Sequence, residues 1–347
     1  MGLRIGVIGV GGLGYLQAKT YSELENVTIV AAADVAADAR ELFEREFGAP
    51  AYQNYRALLD EHASELDAMT IVTPHTLHYD QAIACLERNL HLLIEKPMVT
   101  EVQQAVDIIE VATERDLDVQ VGYQRHFHPA FEQMRYQIER GAIGDVRSVN
   151  CFISQEWIEN HQNTWRVDPD FSGGGQLYDT GSHLLEALIW LTDSVPKTVT
   201  AQVEYDKPSL DVNSAVTIEM ERGDQSFLSS VSITGDGDDV IPTEGYFIWG
   251  TEGSIVYVND VLHIHESDDV TYRAEIPSEF NFDALNKRKL ENFIGSIEGD
   301  VDPAVPAEVG LEVTALTEAI YESADTGTVV DIDEFIDGCD SSDSSYR

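Results

Sequence analysis

The sequence contains a carboxylate and an imidazole at a spacing that suits proton transfer. Asp179 and His183 are four residues apart in a segment of helical periodicity, so their side chains should share one helix face. A carboxylate can orient an imidazole and match its proton affinity to neutral pH. Lys96 follows an apolar strand-like segment and would add a cation at a strand end, where open parallel sheets bind ligands. These side chains predict a site that moves a proton at a polarised oxygen atom.

Each of these assignments has a structural alternative. A histidine on a helix face is more often structural than catalytic, and Lys96 could form a surface ion pair with Glu95. The alternative of a surface ion pair is less favoured, because lysine is scarce in this chain and because Pro97 fixes the local backbone. The triple glycine Gly173–Gly175, just before Asp179, favours a functional segment.

A glycine-rich turn follows the first predicted strand. The pattern G-x-G-x-x-G opens a predicted helix, where glycines allow a tight turn and close approach of a pyrophosphate. The second predicted strand ends at Asp34, 20 residues beyond the last of these glycines, where a carboxylate can bind both ribose hydroxyls. Predicted cofactor contacts here are Gly9, Gly11, Gly12, Leu13, Gly14 and Asp34.

The same carboxylate predicts which nicotinamide cofactor binds. Asp34 would repel a 2′-phosphate and Val35 follows it in place of an arginine, so NAD is favoured over NADP. Arg40 is the one nearby residue that could soften this preference. A glycine turn without a ligand, and a helix N-cap at Asp34, are the structural alternatives.

The first part of the chain alternates short apolar runs with longer helical stretches, which predicts a parallel sheet covered by helices. Strands are predicted at Leu3–Ile8, Val27–Ala33, Ala68–Val72, His91–Ile94 and Val119–Val121, and helices at Leu13–Leu24, Ala36–Phe47, Leu77–Arg88 and Val102–Arg115. We therefore expect an α/β Rossmann domain over residues 1–123.

Beyond a helix near Pro129–Arg140, most of the chain reads as successive strands. Eight strands are predicted between Val146 and Ile276, interrupted by a helix at Leu177–Leu191 and followed by helices at Ala284–Ile297 and Ala307–Ser323. This predicts an α+β domain with a large, mostly antiparallel open sheet over residues 124–336. The Ser/Asp-rich segment 337–347 is expected to be a flexible acidic tail.

The composition is strongly acidic, with 63 acidic and 21 basic residues and a formal net charge of −42. Such a charge excludes nucleic acid as an expected partner. Because 43% of the residues are hydrophobic, the chain should be folded, and the acidity is typical of proteins that work in high salt.

The remaining sequence signals are mostly negative. The three cysteines are widely spaced, which indicates neither a disulfide framework nor a zinc site. The pairs His126/His128 and His263/His265 have no third ligand nearby, so no metal is expected. No apolar run approaches the length of a membrane span and the apolar start lacks a cleavage site, so we expect a cytoplasmic protein.

Several segments together resemble one protein family. They are Val72–His78, Glu95–Pro97, Gly122–Arg125, Gly141–Gly144 and Gly173–His183, in addition to the glycine-rich turn. The combination resembles the glucose–fructose oxidoreductase/inositol dehydrogenase (Gfo/Idh/MocA) family of NAD(P)-dependent oxidoreductases, over nearly the whole chain except the acidic tail.

The resemblance implies a dehydrogenase acting on a sugar, sugar derivative or cyclic polyol. In this scheme His183 accepts the hydroxyl proton, Lys96 stabilises the oxyanion, and Asp179 binds a neighbouring hydroxyl or orients His183. The resemblance also implies cofactor contacts at Thr73, Pro74, His78, Glu95 and Lys96, and substrate contacts at Lys96, Arg125, Asp179 and His183. Trp165 and Arg166, just before the triple glycine, are added as substrate contacts because an apolar ring and a guanidinium could close over a polyol. His75 stands where the family often has Asn. Trp165 and Arg166 could equally serve interdomain packing.

Two other functions remain open at this stage. The same family includes NAD-dependent glycoside hydrolases, and the residues above do not separate them from dehydrogenases. A non-catalytic NAD-binding sensor is disfavoured because Lys96, Asp179 and His183 are all present. The apolar alternation of the second sheet predicts pairing with a second copy, as a homodimer or homotetramer.

Overall fold

The computed structural model describes residues 2–237, 242–266 and 270–341, which form two compact units. The first unit comprises the described residues up to 100, with 104–124 and 282–311. The second comprises 101–103, the described parts of 125–281, and residues 312–341. In the described part of the chain, no helix is both long enough and apolar enough to cross a membrane.

The secondary structure follows the chain in this order. The strands are β1 Leu3–Ile8, β2 Val27–Ala33, β3 Ala51–Tyr52, β4 Ala68–Ile71, β5 His91–Ile94, β6 Val119–Val121, β7 Val146–Ser154, β8 Val195–Lys207, β9 Leu210–Arg222, β10 Gln225–Thr234, β11 Glu244–Gly250, β12 Ser254–Val258, β13 Val261–Glu266, β14 Val270–Glu275 and β15 Val330–Asp331. The helices are α1 Gly12–Ser22, α2 Ala37–Phe47, α3 Tyr55–His62, α4 His78–Leu86, α5 Val102–Arg115, α6 Pro129–Glu139, α7 Trp157–Asn160, α8 Pro169–Ser172, α9 Ser182–Thr192, α10 Phe282–Ile297, α11 Ala307–Thr326 and α12 Ile332–Ser341.

The first unit is built on a six-stranded parallel sheet of order β3-β2-β1-β4-β5-β6. The strand order reverses direction at β1, which pairs with β2 on one side and β4 on the other. At such a reversal the loops that leave the strand carboxyl ends separate, and the crevice between them is where open sheets bind ligands. The glycine-rich turn leaves β1 at this point.

The second unit is built on a nine-stranded sheet of order β14-β13-β12-β11-β7-β10-β9-β8-β15. Its neighbours are antiparallel except β7 and β10, which run parallel. Burial alternates along the strands: in β9, Val216 and Ile218 are buried while Thr217 and Glu219 are exposed. One face therefore carries the core and the other faces outward, as an antiparallel sheet allows. The predicted fold class, a Rossmann domain followed by a mostly antiparallel α+β domain, is confirmed.

The compact units differ from the predicted domains at residues 282–311. This segment was expected in the second domain, residues 124–336, whereas it belongs to the first compact unit. The apolar stripe of α10 explains the difference, because Leu290, Phe293 and Ile294 pack in one core cluster with Ile5 and Leu93 of the parallel sheet. Helical periodicity predicts that α10 buries one face but cannot say against which sheet.

Two smaller differences concern short elements. Neither β3 nor α3 is among the predicted elements, because two paired residues and an eight-residue helix are too short to give a periodic pattern. At the C-terminus, α12 continues to Ser341, so residues 337–341 of the expected tail are helical. The rest of that predicted tail, residues 342–347, lies outside the described residues.

Candidate active site

The turn after β1 requires glycine at the first and last positions of the motif. Gly9 has a φ of +87°, and a Cβ atom there would lie 2.6 Å from the Val72 carbonyl oxygen. A Cβ atom at Gly14 would lie 1.8 Å from the Gly9 carbonyl oxygen. At Gly11 and Gly12 a Cβ atom would meet nothing within 4 Å, so the turn is open on that side. The geometry fits a backbone cradle at the start of α1.

Asp34, directly after β2, holds this turn from the side. Its Oδ2 accepts hydrogen bonds from the Val10 amide at 2.8 Å and the Gly11 amide at 3.1 Å. Arg40 donates through Nη1 to the carbonyl oxygens of Asp34 and Val35, at 2.7 and 3.0 Å. Arg40, the cation that was expected to reduce the preference for NAD over NADP, is therefore bound to backbone carbonyl oxygens at Asp34 and Val35.

His78 joins two loops at the carboxyl ends of β4 and β5. Its Nε2 lies 2.9 Å from the Thr73 carbonyl oxygen and its Nδ1 lies 2.9 Å from the Pro97 carbonyl oxygen. Burial lowers the pKa of His78, and the carbonyl oxygens partly offset this. The His78 side chain, for which the resemblance implied a cofactor contact, is completely buried. His78 can thus act on a ligand only by positioning Thr73 and the Pro97 loop.

Thr73 and Pro74 lie directly on the loop that follows β4. The Thr73 hydroxyl donates to Oε1 of buried Gln81 at 2.7 Å, and its methyl group lies beside Gly9. Pro74 precedes a short 3-10 turn, His75–Leu77. The loop is therefore fixed next to the glycine-rich turn, where a cofactor contact was expected.

Glu95, which was expected as a cofactor contact, is bound by side chains in the interior of the first unit. Its Oε1 accepts hydrogen bonds from Gln17 Nε2, at 2.6 Å, and from Lys289, with which it forms a buried ion pair. Glu95 is 7% exposed and Lys289 2% exposed. The alternative of a surface ion pair between Glu95 and Lys96 is also set aside, since Lys289 provides the counter-charge.

Lys96 directly follows this buried carboxylate. It is the second residue after β5 and is partly buried, and the Lys96–Pro97 peptide bond is cis. Its position at a strand carboxyl end agrees with the general location of ligand sites in such sheets. Lys96 therefore keeps its expected place on the first unit.

In the second unit, the triple glycine turn is required by close backbone contacts. Gly173 ends α8 with a φ of +74°, and a Cβ atom at Gly175 would lie 2.0 Å from the Asp211 carbonyl oxygen. The buried Asp211 carboxylate accepts hydrogen bonds from the Gly175 amide at 2.6 Å, the Leu177 amide at 2.7 Å, and the Tyr321 hydroxyl. Burial raises the pKa of Asp211, and these donors offset part of that rise.

The segment that Asp211 anchors leads into the predicted catalytic pair. Residues Leu177–Gly181 form a π-helical turn that continues into α9, where His183 is the second residue. Asp179 lies within the π turn, so the pair spans the junction of two helix types and not one regular α-helix. Local π turns are frequent at functional sites because they reorient side chains within a helix.

Asp179 is the centre of a cluster of polar donors. Its Oδ2 accepts a hydrogen bond from the Trp157 indole at 2.7 Å and lies 3.2 Å from Arg166 Nε. His161 Nε2 lies 3.8 Å from the same oxygen. Asp179 is 5% exposed and His183 8% exposed. The carboxylate is thus held rigidly within the turn that leads to His183.

The other expected substrate contacts divide into two cases. Arg166 reaches Asp179 and lies over the Trp165 ring, 4.5 Å from its centroid, so both belong to the Asp179 cluster. Arg125 instead pairs with Glu244, its Nε lying 3.1 Å from Oε1, and packs on the Phe131 ring. The Arg125 guanidinium, which was expected to contact the substrate, is mostly buried and paired with an internal carboxylate.

Three functional neighbours were missed by the sequence analysis. Asp211, Trp157 and Lys289 contact the site segments from 36, 22 and 194 residues away. A buried lysine and a buried aspartate give no sequence signal by themselves. The scarcity of lysine could have drawn attention to Lys289.

The arrangement in the first unit fits a dinucleotide. The open cradle, the carboxylate after β2 and the loop at Thr73 provide backbone amides and a ribose partner in the first unit. Among the residues the structure describes, no group of three His, Cys, Asp or Glu side chains could hold a metal ion. His126, one of the residues weighed for a metal, is paired with buried Glu186 and stacked on Trp190.

Fold and site together define an oxidoreductase with a dinucleotide-binding Rossmann domain. Residues 3–123 match the Gfo/Idh/MocA oxidoreductase family with its NAD-binding Rossmann fold, and residues 131–256 match the family's C-terminal domain. The chain belongs to the Gfo/Idh/MocA family and is an NAD(P)-dependent dehydrogenase acting on CH–OH groups.

Three distant relatives match this chain along nearly their full length. The chain is 25% identical to D-xylose 1-dehydrogenase (NADP(+)) 2 of Haloferax volcanii, covering 95% of this chain and 100% of the relative. It is 26% identical to inositol 2-dehydrogenase of Rhizobium meliloti, covering 93% and 97%. Among solved structures, levoglucosan dehydrogenase in complex with NADH and L-sorbose superposes with a TM-score of 0.85 at 22% identity, covering 96% and 99%.

Proposed function

We propose that this protein is an NAD-dependent dehydrogenase that transfers a hydride between nicotinamide and a hydroxyl carbon of a sugar, a sugar derivative or a cyclic polyol such as inositol. The observation that carries the proposal is the rigid Asp179 cluster in the π turn leading to His183. The relatives support it, since those reported above are named for D-xylose and inositol.

The chemistry follows from three side chains. His183 accepts the proton of the substrate hydroxyl, and Lys96 donates a hydrogen bond to the same oxygen and stabilises its developing negative charge. Asp179 binds a neighbouring hydroxyl or orients His183. When bound, NAD⁺ supplies the acceptor for the hydride that leaves the hydroxyl carbon.

The preference for NAD over NADP rests on the charge next to the ribose position. Asp34 carries its carboxylate at the edge of the glycine-rich turn, and the nearby Arg40 is bound to the carbonyl oxygens of Asp34 and Val35. A 2′-phosphate would meet a carboxylate and find the guanidinium engaged. Relatives named as NADP(+) enzymes, such as that of Haloferax volcanii, make this preference a point to be tested.

A substrate screen tests the reaction class directly. The protein, in molar KCl, is given NAD⁺ with D-xylose, inositols, glucosides, sugar phosphates or nucleotide sugars, and NADH absorbance is followed. Stoichiometric NADH from a free sugar or polyol is the expected result. Release of a leaving group from a glycoside without net NADH would instead indicate the redox-assisted hydrolase.

Two substitutions test the assigned residues. Lys96→Met and His183→Ala should each lower turnover by about 10²–10⁴-fold, the usual contribution of a positioned acid–base group. The double variant should lose less than the product, because groups that act as a unit are not additive. Lys287→Met and His265→Ala are matched controls on other parts of the chain and should retain turnover. Near-normal turnover of His183→Ala would contradict the mechanism, whereas NAD⁺ binding should survive that change.

We also propose that the open face of the second sheet contacts a second copy, in a homodimer or homotetramer. A shallow concavity of about 690 Å³ lies on this face, and none of its lining residues is charged. Phe152, Phe247 and Trp249 lie there beside serine and threonine side chains of β9 and β10. In a chain of net charge −42, an uncharged aromatic face is the surface where two copies repel each other least.

Light scattering in molar KCl tests this assembly. The protein should be dimeric or tetrameric, and Trp249→Glu should dissociate it by placing a buried charge in each contact. Tyr136→Glu changes a similarly exposed aromatic residue on α6 and should leave the assembly intact. A monomeric wild-type protein would rule out this interface.

A further inference from the structure

Lys289 is an unusual residue in this chain. The protein has only 21 basic residues against 63 acidic ones, and lysine is the rarer of the two basic types. Lys289 nevertheless lies inside the first unit with 2% of its surface exposed. Burying an ammonium group is costly unless it is paired and hydrogen-bonded, so its neighbours should explain its presence.

The partner of Lys289 is the residue before the proposed catalytic lysine. Its Nζ donates to Oε1 of Glu95, and lies 3.5 Å from the Gly122 carbonyl oxygen. Gln120 Nε2 donates to the backbone carbonyl of Lys289 at 3.1 Å, which ties α10 to β6. The ion pair thus connects α10 to the carboxyl ends of both β5 and β6.

The space around the Glu95 carboxylate is filled on its other side. A Cβ atom at Gly122 would lie 2.6 Å from Oε2 of Glu95, so only glycine leaves room for this carboxylate. Gln17 of α1 donates to Oε1 at 2.6 Å. Glu95 is therefore held from α1, α10 and the loop after β6, and it has one cationic partner in this network.

The charge of this pair acts on few other groups. The Glu95 charge raises the pKa values of Tyr21 and His78, although burial is the larger influence on both, and both side chains are buried in the same unit. The side chains that hydrogen-bond the pair from neighbouring elements, Gln17 and Gln120, are neutral. Removing Lys289 would thus leave a buried anion directly beside Lys96 in the sequence.

We propose that Lys289 is a positioning residue, which fixes Glu95 and balances its charge and thereby sets the placement and the charge environment of Lys96. This inference rests on the proposed role of Lys96. It also gives the return of α10 to the first unit a function, because α10 completes the support of the strand end that carries the catalytic cation.

Competitive labelling of amines tests the inference without any substrate. The full-length protein in molar KCl is labelled with a trace of acetic anhydride over a range of pH, and each lysine peptide is quantified by mass spectrometry. In Lys289→Met the unbalanced Glu95 anion should favour the charged, unreactive form of Lys96, so the labelling of its peptide at fixed pH should fall about tenfold. Lys287→Met removes an exposed lysine two residues away, paired with Glu291, and should leave the Lys96 profile unchanged.

Replacing Glu95 in place of Lys289 should change the labelling of Lys96 in the opposite direction. Glu95→Gln leaves the Lys289 cation unbalanced, and this should increase the labelling of Lys96 at fixed pH. In the double variant Glu95→Gln/Lys289→Met both charges are absent, and the Lys96 profile should return to that of the wild type. If Lys289 had only a structural role, the Lys96 labelling profile of the double variant would differ from that of the wild type as much as the profile of Lys289→Met does, since both variants lack the Lys289 side chain.

The outcomes separate this inference from the proposed function. Unchanged labelling of Lys96 in both single variants, or no return in the double variant, would overturn the positioning role. If Lys289→Met does not fold, the Lys96 labelling profiles of Glu95→Gln and of the double variant are compared with that of the wild type. Loss of turnover in Lys96→Met tests the catalytic assignment independently, because the labelling experiment needs neither cofactor nor turnover.

Discussion

Replacing Asp211 by Asn should destabilise the second unit without altering its shape. Both carboxylate oxygens accept backbone N–H groups, Oδ1 from Gly175 at 2.6 Å and Oδ2 from Leu177 at 2.7 Å. An asparagine amide has one acceptor oxygen, so in either orientation its NH₂ group faces one of these buried donors. At least one hydrogen bond is lost and one N–H is left without an acceptor.

The magnitude follows from opposing contributions. A hydrogen bond to a charged group contributes about 1.5–3 kcal/mol, and an unsatisfied buried donor costs about 1–3 kcal/mol. Against this, Asn carries no charge, and burial of the Asp211 charge is itself unfavourable, as its raised pKa indicates. The hydrogen-bond losses should prevail, with a net destabilisation of about 2–3 kcal/mol.

Urea unfolding followed by tryptophan fluorescence measures this effect where it occurs. All four tryptophans, Trp157, Trp165, Trp190 and Trp249, lie in the second unit, so the signal reports that unit. The midpoint should fall at constant slope, which indicates a loss of stability and not a change in compactness. Asp206→Asn, on an exposed part of β8, is the matched control. Equal midpoints for the two variants would refute the anchoring role of Asp211.

Three further predictions concern pH, salt and cofactor. Burial raises the pKa of Glu318 from 4.5 to about 7, so this carboxyl stabilises the fold below pH 4.5 and loses that contribution as the pH rises through 7. The melting temperature of Glu318→Gln should therefore exceed that of the wild type at pH 8 and equal it at pH 4. The substitution of exposed Glu322 by Gln is the control. The wild-type melting temperature should rise as KCl is raised into the molar range, because salt screens the repulsion of a −42 chain, and a constant melting temperature would count against a high-salt protein. Asp34→Ser should reduce the ratio of kcat/KM with NAD to kcat/KM with NADP, while the substitution of exposed Asp38 by Ser should leave it unchanged. Equal kcat/KM values of the wild type with both cofactors would contradict the assignment of Asp34.

The parts of the site made from consecutive residues could be predicted from the sequence. The turn after β1 and the carboxylate after β2 depend on backbone geometry and strand length, both of which leave a local pattern. Gly14 is required by a contact with the Gly9 carbonyl oxygen five residues earlier, and Gly9 by its own positive φ. The alternation of the second sheet was likewise visible, because strands bury every second side chain.

Partners distant in sequence were not predictable in this way. Glu95 and Arg125 were assigned to ligands because they lie in recognisable motifs, yet their partners are 194 and 119 residues away, at Lys289 and Glu244. A local pattern cannot distinguish a charged side chain that meets a ligand from one that meets a buried counter-ion. The choice between the two depends on which helix returns to the sheet, and that is a property of the folded chain.

The return of residues 282–311 to the first unit also affects how the protein is made. The ribosome completes all six strands of the parallel sheet by residue 121, yet it synthesises Lys289, Leu290 and Phe293 only after most of the second unit. Until then the nascent parallel sheet lacks part of its hydrophobic cover, and the Glu95 carboxylate has no counter-ion. An N-terminal fragment ending at residue 124 should therefore be a poor stand-alone cofactor domain, and gene fusions that transplant this domain should carry α10 with it.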